Sequence, residues 1–239
     1  MIKFVHVSKT FQNSWTALKD ISFELEKGEF VFLIGPSGSG KSTIIKTIMM
    51  EIMPDEGLVK VAGFGSDCIK ARDIPRLRRK LGVIFQDFKL LSEKTVYENV
   101  AFALEVTGAA EKAIHKKSMA ALNEVGMSHK RHSFSYQLSG GEQQKTAIAR
   151  ALVNDPFILL ADEPTGNVDP TGTLEIIQLL KNINSKGTAV LMATHEHELV
   201  KKMPHRVIEL EAGAIIRDMP GKSHYRRGSH TENTWPGAV

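Results

Sequence analysis

Short unbroken apolar runs alternate along this chain with longer stretches whose apolar positions recur at helical spacing. Residues 2–7 and 21–25 alternate apolar and polar side chains, which predicts two half-buried strands, because neighbouring residues of a strand face opposite sides. Phe30–Ile34 reads FVFLI with no polar break, the pattern of a strand covered on both faces. Residues 81–85, 157–161 and 189–193 are also continuous apolar runs and predict three more buried strands. Helical spacing occupies 42–52, ending before Pro54; 98–106 and 112–125 fit amphipathic helices, the second stopped by Gly126. Strands alternating with helices predict an α/β fold with crossover helices on a sheet. Between Phe88 and Val153 the pattern is mostly helical, so a helical lobe (88–152) is expected to interrupt a core lobe made of 1–87 and 153–217. Residues 218–239 are polar and unpatterned, and are expected to form a tail with too little apolar surface to offset its own ordering.

Composition narrows the class without choosing a partner. At 239 residues the chain can bury a full core, and 42% apolar with 24% charged residues is the balance of a soluble globular protein. No apolar run approaches the roughly 20 residues of a membrane-spanning helix. The first residues, MIKFVHVSKTF, lack the long apolar stretch of a secretory signal. A lone cysteine, Cys68, excludes an internal disulfide and suits a reducing compartment. The net charge of +4 is too small to choose between anionic lipid, nucleic acid and an ordinary solvated surface. The basic run from Arg76 to Lys80 reads as a solvated face, with anionic lipid as its alternative.

Chemistry begins where the run Phe30–Ile34 ends. Gly35, Pro36, Ser37, Gly38, Ser39, Gly40, Lys41 and Ser42, with Thr43 next, match GxxxxGK[ST] between a buried strand and a helix. Glycines let backbone N–H groups turn inward around phosphate oxygens, and the helix adds its positive end. Lys41 is suited to reach the β- and γ-phosphates, and Ser42 to place a hydroxyl on Mg²⁺. The strand at 157–161 delivers Asp162 and Glu163 at its carboxyl end, where ligands of such sheets bind. Asp162 is suited to hold Mg²⁺ opposite Ser42, and Glu163 to orient and polarise the attacking water. In LSGGEQQ, Ser139 can cap a helix while Gly140 and Gly141 expose N–H groups at its start, a second anion site remote in sequence from the first. Two rival readings fail: HExxH would need a histidine at Leu199, and no guanine-reading NKxD segment is present.

GPSGSGKST, Gln86 after a buried strand, LSGGEQQ, LLADEPTGNVD and His195 after VLMAT stand in the order of the ABC ATPases, and residues 1–217 resemble that family. The resemblance implies a P-loop NTPase core sheet with helices, an antiparallel β lobe and the inserted helical lobe. It implies ATP and Mg²⁺ as ligands, and a homodimer in which each phosphate loop faces Ser139, Gly140 and Gly141 of the second copy. There Gln86 touches Mg²⁺ and the water, Asp169 crosses the interface, His195 contacts the γ-phosphate and Phe11 stacks on adenine. Lys145 stands where arginine is usual and Val168 where leucine is usual, which keeps charge and apolarity.

The segment after Gln86, IFQDFKLL and then TVYENV, lies where this family docks a cytoplasmic helix of a membrane protein. Phe88, Leu90, Leu91 and Tyr97 are candidates for anchoring such a helix or for the core. With LRRKLG before it, the segment resembles the cell-division members of the family. That implies an integral membrane partner, a peripheral place on the cytoplasmic face of the cell membrane, and a mechanical output for which no solute need be transported. An ATPase of lipoprotein release or of macrolide and amphiphile export would carry the same motifs, so this alternative stays open. Soluble ABC proteins of nucleic acid usually carry two ATP domains or a long coiled-coil insertion; this chain shows neither, and no nucleic acid is expected.

Overall fold

The computed structural model describes residues 1–12 and 14–221. In chain order, β1 (Ile2–Thr10) and β2 (Thr16–Leu25) are followed by β3 (Phe30–Ile34) and helix α1 (Lys41–Ile48). Then come β4 (Glu56–Val61), the short β5 (Phe64–Gly65), α2 (Ile74–Arg78) and β6 (Leu81–Ile84). Three helices form the inserted segment: α3 (Val96–Glu105), α4 (Glu111–Glu124) and α5 (Gly140–Leu152). The chain returns through β7 (Ile158–Asp162), α6 (Pro170–Ser185), β8 (Ala189–Thr194), α7 (His197–Lys201), β9 (Arg206–Glu211) and β10 (Ala214–Met219).

The strands make two sheets. One is antiparallel, in the order β2-β1-β4-β5; the other runs β10-β9-β3-β8-β7-β6 and is parallel except for β10. All five residues of β3 are buried, and it lies inside the sheet between β8 and β9. Its alternation divides the interior in two. Phe30, Phe32 and Ile34 pack with Leu159, Ala161, Val190 and Met192 of the sheet and with residues of α3, α5 and α6. Val31 and Leu33 face the other way, onto Ile44, Ile45 and Ile48 of α1 and onto Phe4, Ile21 and Val59 of the antiparallel sheet. A strand buried on both faces needs apolar residues at every position, which is why FVFLI shows no polar break.

Several ends differ from the hydrophobic pattern, each for a local reason. Helix α1 stops at Ile48, four residues before the predicted limit, because Met50 takes a left-handed conformation with φ 51°. Its N–H donates to Thr47 O and that of Glu51 to Lys46 O, the double closure of a Schellman motif made without glycine. Strands β4, β5, β9 and β10 carry exposed charges or few residues, so they leave little apolar signal. β10 extends through Asp218 to Met219, beyond the expected limit of the domain at 217. Asp218 is held there by Arg206, whose guanidinium donates to both its carboxylate oxygens at 2.7 and 2.6 Å and to Glu29 at 3.1 Å. Residues 222–239 of the expected tail lie outside the described residues. Among the described residues no helix is long and apolar enough to cross a membrane.

Candidate active site

Three strand ends and one helix start converge on the site. The loop from β3 to α1 needs glycine at two close approaches: a Cβ on Gly35 would lie 2.2 Å from Leu210 O, and one on Gly40 would lie 2.7 Å from Ala17 O. Both also have positive φ, 151° and 108°. Lys41 begins α1 and is only 5% exposed; its ammonium donates to Gly35 O at 2.8 Å and Pro36 O at 3.1 Å. The same ammonium lies 3.9 Å from Glu163. Ser37, Gly38, Gly40, Lys41, Ser42, Thr43, Glu163 and Trp15 line a cavity of about 250 Å³.

β7 and β8, paired in parallel, supply the acids and the histidine. Asp162 closes β7. Burial raises its pKa above the usual carboxylate range, the Ser42 hydroxyl opposes this by hydrogen bonding, and the charge of Glu163 raises it further. One oxygen, Oδ1, is buried with no hydrogen-bond partner. A half-buried acid facing a hydroxyl, with one buried oxygen left unpaired, fits a hard divalent cation, which takes oxygen ligands. Glu163 has φ 49°, a costly conformation for a residue with a Cβ, and its N–H donates to Ala193 O. Its carboxylate meets His195 Nδ1 at 2.9 Å, so lysine, glutamate and histidine form one chain of contacts.

The other expected residues sit around this centre. Gln86 is exposed just after β6; its carbonyl accepts from Asn167 Nδ2 at 2.8 Å, and its side chain runs along Gly166. Asp169 caps α6, accepting from Gly172 N–H at 2.6 Å. Ser139 caps α5 in a capping box: its Oγ accepts from Glu142 N–H at 3.3 Å, and the Glu142 carboxylate accepts from Ser139 N–H at 3.0 Å. Gly140 packs so closely on Asn167 that a Cβ would come within 2.5 Å of its carbonyl. None of Ser139, Gly140 and Gly141 lines the cavity of the phosphate loop. The chain thus presents one phosphate cradle and, apart from it, one glycine-rich helix start.

Phe11 stacks on Trp15 with ring centroids 5.5 Å apart, and it is Trp15 that lines the cavity. The sequence singled out Phe11 alone; a tryptophan four residues on was the available signal. Gln144 was also passed over. It is fully buried and donates to Pro164 O at 2.7 Å, tying α5 to the segment after Glu163.

A phosphate loop, a strand-end Asp-Glu pair joined to a histidine, and a separate glycine-rich helix start define an ATPase cassette. A family model described as ABC transporter matches residues 18–166, and the chain belongs to that family. Within it, the chain is 50% identical over 218 residues to the cell division ATP-binding protein FtsE of Streptococcus pneumoniae, covering 91% of this chain and 95% of that protein. It is 51% identical over 219 residues to FtsE of Mycobacterium tuberculosis, with the same coverage. Its fold matches the dimeric structure of a post-hydrolysis state of the ATP-binding cassette MJ0796 bound to ADP and Pi, with a TM-score of 0.83 and 34% identity over 92% of this chain and 98% of that one.

Proposed function

We propose that this ATPase works as an FtsE-type subunit, converting ATP-driven dimer closure into a signal through a membrane partner. Identity of about half along nine-tenths of the chain carries the reading, because it spans the site and the partner-facing segment alike. Lys41 and the N–H groups of Gly38–Thr43 bind the β- and γ-phosphates, and the Phe11–Trp15 stack receives the adenine. Ser42, Asp162 and Gln86 hold Mg²⁺, which supplies charge neutralisation on the transferred phosphoryl oxygens. Glu163 orients the water and accepts its proton, and His195, hydrogen-bonded to Glu163, contacts the γ-phosphate. Gly140 and Gly141 donate N–H groups, with Ser139, to the phosphate held by a second copy, and Asp169 contacts that copy. The dimeric state of MJ0796 bound to ADP and Pi supports this assembly.

The partner is an integral membrane protein resembling FtsX, and the chain sits on the cytoplasmic face of the cell membrane through it. A groove of about 340 Å³ beside the Gln86 segment supports this, lined by Leu81, Val83, Phe85, Lys89, Ala103 and Arg150 among others. Phe102 of α3 and Val106, which caps the end of that helix, are exposed. The output is regulation of peptidoglycan hydrolases by motion across the membrane. Affinity capture of the full chain from solubilised membranes tests the reading. An FtsX-like protein is expected in stoichiometric amount; recovery of a lipoprotein-release permease in its place overturns it.

A further inference from the structure

Arg150, near the end of α5, makes an arrangement that the motifs do not account for. Its guanidinium donates to Lys89 O at 2.5 Å through one terminal nitrogen and to Phe88 O at 2.8 Å through the other. Burial pushes its pKa below the usual arginine value, yet among the described residues it makes no ion pair. A half-buried cation without a counter-charge loses part of its hydration, which these two carbonyls replace. They are well placed because Phe88 and Lys89 have φ 56° and 50°. In an extended chain consecutive carbonyls point to opposite sides. Two left-handed residues in a row turn both toward one side, where the planar fork of arginine can take them together. Lysine, with a single-point charge, would match that pair less well.

The turn so held carries Gln86 two residues before it. Gln86 is fastened on its other side by Asn167, and Gly140 packs on that same Asn167 with Phe88 close by. Arg150 therefore closes a ring: the Gln86 segment, the 166–168 segment, the start of α5, and α5 itself back to the Gln86 segment. We propose that Arg150 is a positioning residue, which holds the Gln86 segment in register with the helix that begins at Gly140. This rests on the reading that Gln86 serves hydrolysis. Arg150 lines the groove and not the phosphate-loop cavity, so its effect must pass through the turn it holds.

The test measures ATP affinity and turnover of the full chain for Arg150→Ala, Arg150→Lys, Gln86→Ala and the doubles Arg150→Ala/Gln86→Ala and Arg150→Lys/Gln86→Ala. Loss of the fork is expected to leave ATP affinity unchanged and to lower kcat about tenfold to a hundredfold, the scale of a small misplacement at a reacting centre. Arg150→Lys is expected to lose nearly as much. Guanidinium at millimolar concentration is expected to restore part of the turnover of Arg150→Ala, which a merely structural defect would not allow. In the Gln86→Ala background either Arg150 change is expected to add little. Full additivity of the losses overturns the proposal while leaving Gln86 in its role. Unchanged turnover in Gln86→Ala removes Gln86 from hydrolysis, and the proposal with it. Equal losses of affinity and turnover, or a fully active Arg150→Lys, also overturn it.

Discussion

Glu163 concentrates the chemistry of the site in one residue. It is held in a left-handed conformation by its N–H bond to Ala193 O, and its two oxygens face Lys41 and His195. Glutamine keeps the shape and loses the charge that accepts a proton. Glu163→Gln is therefore expected to bind ATP normally and to lose hydrolysis by about 10²–10³-fold, the usual share of a general base. Phosphate release under saturating ATP checks the loss, and gel filtration with ATP should show the dimer accumulating; normal turnover would remove Glu163 from the base role. The string DE assigned Asp162 to the metal and Glu163 to the water without showing how their surroundings differ. The fold does so: Asp162 keeps one oxygen buried and unpaired beside Ser42, while Glu163 turns toward the cavity.

At the scale of elements, the long apolar runs and the capped helices were legible. FVFLI gives β3 with its limits unchanged, and Ser139, read as a helix cap, caps α5. The loop after Gln86 was not legible, because its shape depends on a side chain in the following helix. Asn99 of α3 is 1% exposed; its Oδ1 accepts from Leu91 N–H at 2.8 Å and its amide donates to Leu91 O, Lys94 O and Thr95 O. Hydrogen bonds of this kind pair loop groups that would otherwise be buried without partners. Asn99→Ala is expected to cost about 2–3 kcal/mol, from the price of unsatisfied polar groups. Chemical denaturation measures it, and a loss under half that size would show that water replaces the side chain. Helix α1 shows the opposite case: its Schellman end at Met50 has no glycine to announce it.

The whole molecule places the start of α5 apart from the phosphate cavity, as the proposed sandwich of two copies requires. Ser139→Arg puts a large cation where a second copy's γ-phosphate is to lie. It is expected to leave ATP binding by the monomer intact and to abolish ATP-dependent dimerisation and turnover. Light scattering with and without ATP decides; an ATP-dependent dimer of Ser139→Arg would overturn the sandwich arrangement.

The sequence by itself determined the α/β class, the buried strands and the candidate phosphate-binding residues, because burial pattern and motif spacing are local properties of the chain. It also carried the family, since LSGGEQQ and the phosphate loop occur together in one order. Tertiary structure alone decided how those pieces relate: that Trp15 fronts Phe11 in the cavity, that Arg150 holds the turn after Gln86, and that Ser139–Gly141 stand outside the cradle. Such relations depend on contacts between residues tens of positions apart, which no local pattern records. The phosphate loop was readable from its first glycine, and the packed sheet and helices set the start of α5 outside its cavity, as the proposed dimer requires.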